Sequence, residues 1–137
     1  MIDKFCLIVA GTRTFNDYDL LKEKIDHALL NHKDDEIVIV QGEAKGADAL
    51  AKKYAKEKGY EVKSFPADWN KHGKAAGPIR NRQMHECAGQ FEKRGCIIFW
   101  DGESRGTAQN IKLADEFGTQ LICVKYKEVE KENGYEI

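Results

Sequence analysis

No apolar run in the chain approaches the roughly 20 residues a membrane-crossing helix needs. The longest, Phe5 to Ala10 and Cys96 to Trp100, are strand-sized. Neither sign of charge prevails: 22 Lys and Arg stand against 23 Asp and Glu, a net charge of -1. No global field therefore draws the protein to a long polyanion or an anionic membrane, and any anion site must be built locally. The four cysteines, Cys6, Cys87, Cys96 and Cys123, form no Cys-x-x-Cys pair, which reads as buried reduced thiols rather than a metal or redox centre. No two histidines stand at ligand spacing on one helix, so no metal is expected. A Gly-x-Ser-x-Gly elbow and a Cys-His pairing are absent, and with them the common nucleophiles. The Gly-Lys-Ser/Thr ending of a phosphate loop and the six-residue dinucleotide fingerprint are missing as well. What survives these exclusions is a binding protein with no resident cofactor.

The 137 residues suit a single domain spanning 1–137. Phe5-Cys6-Leu7-Ile8-Val9-Ala10 is short and continuously apolar, as a strand covered on both faces must be. Because it follows Met1-Ile2-Asp3-Lys4 and ends at Gly11-Thr12-Arg13, without a longer apolar stretch or small-residue cleavage site, it reads as a first strand and not a leader. A cytoplasmic protein is expected. Leu21, Ile25, Ala28 and Leu29 then recur at helical spacing as far as His32, with Asn16 or Asp17 as cap. Ile37–Val40 is a second strand. A helix from about Ala47 turns Leu50, Ala51, Tyr54 and Ala55 toward the sheet and ends at Gly59. Glu61–Phe65, less apolar, reads as an edge strand.

Residues 66–77 show no apolar period and are long for a strand-to-helix connection, which marks them for function. Pro78 opens the next helix, with Ile79, Met84, Cys87 and Ala88 as its buried stripe. Cys96–Trp100, a helix from Arg105 to Phe117 presenting Ala108, Ile111 and Ala114, and a strand at Leu121–Val124 complete the pattern. Residues 126–137 read as a tail that either frays or docks. Five strands alternating with four helices predict an α/β, Rossmann-like three-layer fold with a mainly parallel five-stranded sheet in the order 3-2-1-4-5. That order puts the loops after strands one and four at the switch point, where such sheets bind ligands.

Three strand ends carry glycine-rich polar turns. Gly11-Thr12-Arg13-Thr14-Phe15 offers an arginine fork, threonine hydroxyls and an aromatic ring. Gly42-Glu43-Ala44-Lys45-Gly46-Ala47-Asp48 brings backbone amides and a cation to a helix start, with Asp48 either capping the helix or accepting a ligand hydroxyl. Asp101-Gly102-Glu103-Ser104-Arg105-Gly106-Thr107 repeats the arrangement. The long loop supplies Asp68, Trp69, Lys71, His72, Lys74, Gly77, Arg80, Asn81 and Arg82, a local positive charge that suits phosphate. Trp69 either stacks on a base or anchors the loop, and His72 beside lysines reads as a surface residue.

These strings together resemble the stand-alone SLOG-domain proteins of the YspA and YpsA-related group. The resemblance runs from Val9-Ala10-Gly11-Thr12-Arg13 through Gly42-x-Ala44-Lys45-Gly46-Ala47-Asp48 and Phe65-Pro66-Ala67-Asp68-Trp69. It continues over Gly73-Lys74-Ala75-Ala76-Gly77-Pro78-Ile79-Arg80-Asn81 and Phe99-Trp100-Asp101-Gly102-x-Ser104-x-Gly106-Thr107. The wider superfamily includes the DNA-processing protein DprA and the LOG nucleotide phosphoribohydrolases. The resemblance implies a sensor or processor of nucleotides or nucleotide-derived signals, is compatible with a homodimer, and implies Arg80 or Arg82 as the ligand-positioning arginine, of which Arg80 is preferred because it falls in the first turn after Pro78. In the phosphoribohydrolases a glutamate serves glycosidic cleavage, and Asn110 stands at the matching position here. An amide cannot act as an anionic acid-base group.

The expected function is therefore binding of a nucleotide or nucleotide derivative, ADP-ribose-like or cyclic. Gly11, Thr12, Arg13, Phe15, Gly42, Lys45, Gly46, Asp48, Asp68, Trp69, Lys74, Gly77, Arg80, Asn81, Asp101, Gly102, Ser104, Gly106 and Thr107 would form the site. The alternative is hydrolysis of such a ligand, with Asp68 and Asp101 as catalytic carboxylates. A nucleic-acid module is a third reading, against which the net acidity and the lack of a long basic helix weigh. On this reading Arg80→Ala costs much more in ligand affinity than in stability, and Asn110→Ala leaves any hydrolysis intact.

Overall fold

The structure, a computed structural model, describes residues 3–126. The tail expected at 126–137 lies, Tyr126 apart, outside the described residues. Strands β1 (Lys4–Gly11), β2 (Glu36–Gln41), β3 (Glu61–Ser64), β4 (Lys93–Trp100) and β5 (Gln120–Lys125) alternate with helices α1 (Tyr18–Ala28), α2 (Ala47–Lys58), α3 (Trp69–His72), α4 (Ala76–Ala88) and α5 (Arg105–Glu116). The sheet is parallel throughout and ordered β3-β2-β1-β4-β5, as the pattern predicts.

The central strand β1 is buried from Phe5 to Ala10, because helices cover both of its faces. Leu7, Val9, Ile39, Ile97 and Phe99 pack with Leu21, Ile25, Ala51 and Tyr54 of α1 and α2 on one face. Cys6, Ile8, Val40, Cys96 and Ile98 meet Met84, Ala88 and Ala114 of α4 and α5 on the other. In cores packed this closely, shortening a residue such as Leu7 to alanine costs about 2–5 kcal/mol. Among the described residues no helix is long and apolar enough to cross a membrane.

Four details depart from the sequence pattern. The stretch after β3 is not a plain loop: Asp68 caps the short α3 by accepting from Lys71 N–H at 3.1 Å, and a 3-10 turn follows at Gly73–Ala75. Helix α4 begins at Ala76, so Pro78 still falls among amides that need no helical partner, while Arg80 lies a turn deeper than Pro78 suggests. The buried face of α4 is not the expected stripe. Ile79 is exposed, and Arg80, Asn81 and His85 are buried beside Met84 and Ala88. Nor are all thiols buried: Cys6 and Cys96 are, Cys87 is half-buried, and Cys123 is exposed on edge strand β5. Burial pushes the Cys6 thiol up to about 12 and raises that of Cys96, so both are unreactive thiols at neutral pH.

Candidate functional site

The carboxyl ends of β1, β2 and β4 are tied together before any ligand is considered. Thr12 N–H donates to the Phe99 carbonyl at 2.9 Å, and the Thr12 hydroxyl accepts from Asp101 N–H at 3.2 Å, joining the first and fourth strand ends. The second strand end is seated on the first through Gly46, whose φ is +78°. A Cβ there would collide with the Thr12 carbonyl and lie 2.6 Å from that of Arg13. Only glycine permits both the left-handed turn and this approach.

Around this junction lies a cleft of about 420 Å³. Gly11, Thr12 and Arg13 from the first strand end line it, with Asp48 from α2 and Trp69 from α3. Gly77, Arg80 and Asn81 from α4 form another wall, and Ser104, Gly106, Thr107 and Asn110 from α5 close the far side. A neighbouring hollow of about 530 Å³ shares Arg13, Trp69 and Arg80 and adds Gly42 and Lys45. Most of the expected ligand-binding residues are thus brought to one connected space.

Arg80 is its central residue. Only 8% exposed, it donates from Nε to Asn81 Oδ1 at 2.8 Å and from Nη1 to the Gly42 carbonyl. These bonds engage Nε and one terminal nitrogen of the fork. Burial lowers its pKa and Asp48 opposes that shift, and an arginine so placed stays cationic. Arg82 instead forms an exposed pair with Glu116 at 2.8 Å. Arg13 is exposed, its guanidinium 5.8 Å from the centroid of the half-exposed Trp69 ring.

Three amides of the loop after β2 are taken up within the protein rather than left for an anion. Gly42 and Ala44 N–H both donate to Asp48 Oδ2, at 3.2 and 3.3 Å, and Glu43 N–H donates to Gln41 Oε1 at 2.6 Å. Glu43 holds a φ of +58° and accepts from Gln41 Nε2 at 2.7 Å and from Lys52 Nζ at 3.0 Å. These bonds hold its carboxyl down to about 2 and lock the loop. Asp48 is neither a simple cap nor an open acceptor: it is the keystone of this loop, and burial pushes its carboxyl up to about 6.

That shift carries a sign. The folded chain holds a proton on Asp48 more tightly than the unfolded chain does, so this group's contribution to stability falls as pH rises from about 4 to about 6 and stays low above. Asp48→Asn keeps an acceptor for both amides and removes the charge. The variant is expected to be more stable than wild type at pH 8, by on the order of 3 kcal/mol, and indistinguishable near pH 4. Urea melts of both proteins across that range read the difference; a gap that does not widen with pH would refute it.

Other expected site residues are placed elsewhere or are engaged in turns and caps. Phe15 is 2% exposed and stacks on Phe99 at 4.7 Å, a core residue and not a base platform. Lys74 is exposed on the 3-10 turn and lines neither hollow. Asp68 and Lys71 line a smaller side hollow that shares Arg80 with the cleft and Pro66 and Arg80 with the neighbouring hollow. Asp101 accepts from Glu103 and Ser104 N–H at 2.9 Å each, bonds that lower its pKa, and it serves the turn where Gly102 has a φ of +90°. Ser104 caps α5 through Thr107 N–H at 3.3 Å, the two hydroxyls lying 3.0 Å apart. Neither Asp68 nor Asp101 lines the cleft; Asp48 is its one carboxylate among the described residues. His85, fully buried behind Asn110, escapes sequence reasoning because polar residues are discounted on a buried helical face. Its spacing from Asn81, Met84 and Ala88 is the signal that places it inward.

Residues 5–72 match the family described as the YspA, cpYpsA-related SLOG family. That segment carries the first two strand-end loops, Asp48 and Trp69. The gene 61 protein of Mycobacterium phage D29 is 30% identical over 125 residues, covering 85% of this chain and 93% of that protein. The structure of DNA processing protein A (DprA) from Streptococcus pneumoniae is similar with a TM-score of 0.65 at 20% identity, over 94% of this chain and 52% of that one. The chain thus spans about half the length of that protein, and the likeness is one of fold.

Proposed function

This chain belongs to the YspA, cpYpsA-related SLOG family, and from that premise we propose that its strand-end cleft binds a nucleotide or a nucleotide-derived ligand, ADP-ribose-like or cyclic. The observation that carries the reading is the convergence of Arg13 and Arg80, from different elements, on one cleft with the half-exposed Trp69 beside them. Two cations converging on one cleft whose single carboxylate among the described residues, Asp48, is already bound to the Gly42 and Ala44 amides favour a phosphate, and an exposed indole offers a face for a base. Calorimetric titration with AMP, ADP, dinucleotides, ADP-ribose and cyclic nucleotides tests it, and no saturable binding by any of them would refute it. Trp69→Ala is expected to lower the affinity of whichever ligand binds about 10-fold. Its melting temperature should stay near wild type, since the side chain is half in solvent.

One observation favours hydrolysis of such a ligand as a second reading. Asp48, with its carboxyl at about 6, would be partly protonated near neutral pH, as a general acid must be. It replaces Asp68 and Asp101 as the carboxylate to test. Chromatography of the same nucleotides incubated with wild type and Asp48→Asn decides: turnover lost in the variant supports the reading, and unchanged substrates with wild type remove it.

A further inference from the structure

His85 is 0% exposed on α4, its ring 6.0 Å from that of Phe117. Its Nε2 lies 3.1 Å from Asn110 Oδ1, and its Nδ1 is buried with no hydrogen-bond partner. Burial lowers its pKa, so the ring is neutral and carries a single N–H. A proton on Nδ1 would bury an orphaned donor and turn the Nε2 lone pair toward the lone pairs of Oδ1. A proton on Nε2 satisfies the donor and leaves only an acceptor unpaired, the cheaper omission. Once Oδ1 is taken, the free end of the Asn110 amide is its Nδ2, a donor, on a residue that lines the cleft.

Asn81 behaves differently. Its Oδ1 accepts from Arg80 Nε, and its Nδ2 donates to Gln109 Oε1 at 2.9 Å, so both ends are engaged within the protein. The uncommitted amide of the cleft is that of Asn110, and His85 settles which end it shows.

We propose that His85 is a positioning residue: its Nε2–H holds the Asn110 carboxamide with Nδ2 presented to the cleft, so that this wall takes a ligand acceptor, such as a phosphoryl or carbonyl oxygen or a ring nitrogen. The inference rests on the nucleotide reading for its ligand, while the orientation is a property of the free protein. Two measurements keep these apart. In the free protein, long-range proton–nitrogen NMR of the His85 ring is expected to show a protonated Nε2 and a bare Nδ1; a protonated Nδ1 overturns the proposal. With ADP as probe in calorimetry, His85→Phe, which keeps ring and volume but not the donor, is expected to bind at least 10-fold more weakly. His85→Gln, whose amide can replace Nε2–H, should recover most of that loss, and Asn110→Asp, which turns an anion to the ligand, should lose at least 30-fold. Wild-type affinity in both His85→Phe and Asn110→Asp overturns the proposal. Should His85→Phe fail to fold, Asn110→Asp and the ring spectrum decide. Should wild type itself not bind ADP, the nucleotide reading is weakened, and the ring spectrum alone supports or overturns the orientation.

Discussion

Arg80→Ala is expected to lower the melting temperature by about 10 °C as well as to remove most ligand affinity, because the guanidinium holds the site together from inside. Its Nη1 satisfies the Gly42 carbonyl, its Nε satisfies Asn81, and its charge faces the buried Asp48. Truncation leaves a carbonyl and an amide oxygen without donors and a carboxylate without its counter-charge. Such losses cost about 3 kcal/mol, which in a domain of this size is on the order of 10 °C. This corrects the expectation that affinity would fall far more than stability, which presumes a side chain extended into solvent. Arg80→Lys separates the two roles. The ammonium still faces Asp48 but cannot make the forked contacts, so the melting temperature should fall by less than half as much while affinity drops at least 10-fold. Thermal melts and titrations with the best nucleotide of the screen check both. Normal binding by Arg80→Ala would remove Arg80 from the site.

Gly46→Ala is expected to be the most destabilising single-methyl addition in the site region. A left-handed φ of +78° costs an alanine about 1 kcal/mol, and the new methyl meets two backbone carbonyls, those of Thr12 and Arg13, which cannot swing aside as a side-chain end can. Together these cost about 3–4 kcal/mol. Relief requires the first and second strand-end loops to part, so ligand binding should fail even at temperatures where the chain is folded. A variant that melts within about 2 °C of wild type would show that the two loops are not seated as described. Gly118→Ala, also at positive φ (+66°) but with no atom within 4 Å of the added Cβ, is the control for strain without collision.

How far the sequence carries can be read from particular residues. Phe5 to Ala10, apolar without interruption, admits one interpretation, a strand covered on both faces, and the order of the sheet follows from alternating strands and helices with right-handed crossovers. The end of the sheet that carries the candidate site was legible for the same reason: glycine-rich polar turns at three strand ends must share one end of a parallel sheet. The interior of α4 was not legible, because hydrophobic periodicity sees Ile79 and Cys87 but gives no weight to Arg80, Asn81 and His85, which are buried because each finds a hydrogen bond there.

By itself, then, the sequence determined the architecture and the end of the sheet that carries the proposed site, since both depend on short-range pattern and on chain connectivity. Only the tertiary structure decided which polar groups are left open at that end. Asp101 and Asp68 look like catalytic carboxylates until their oxygens are found capping turns, and the amides of Gly42 and Ala44 look free until Asp48 is found between them. A donor's availability depends on whether another group has already taken it. Here the taker often comes from far along the chain, as when Arg80 reaches the carbonyl of Gly42, and such pairings exist only once the elements have packed.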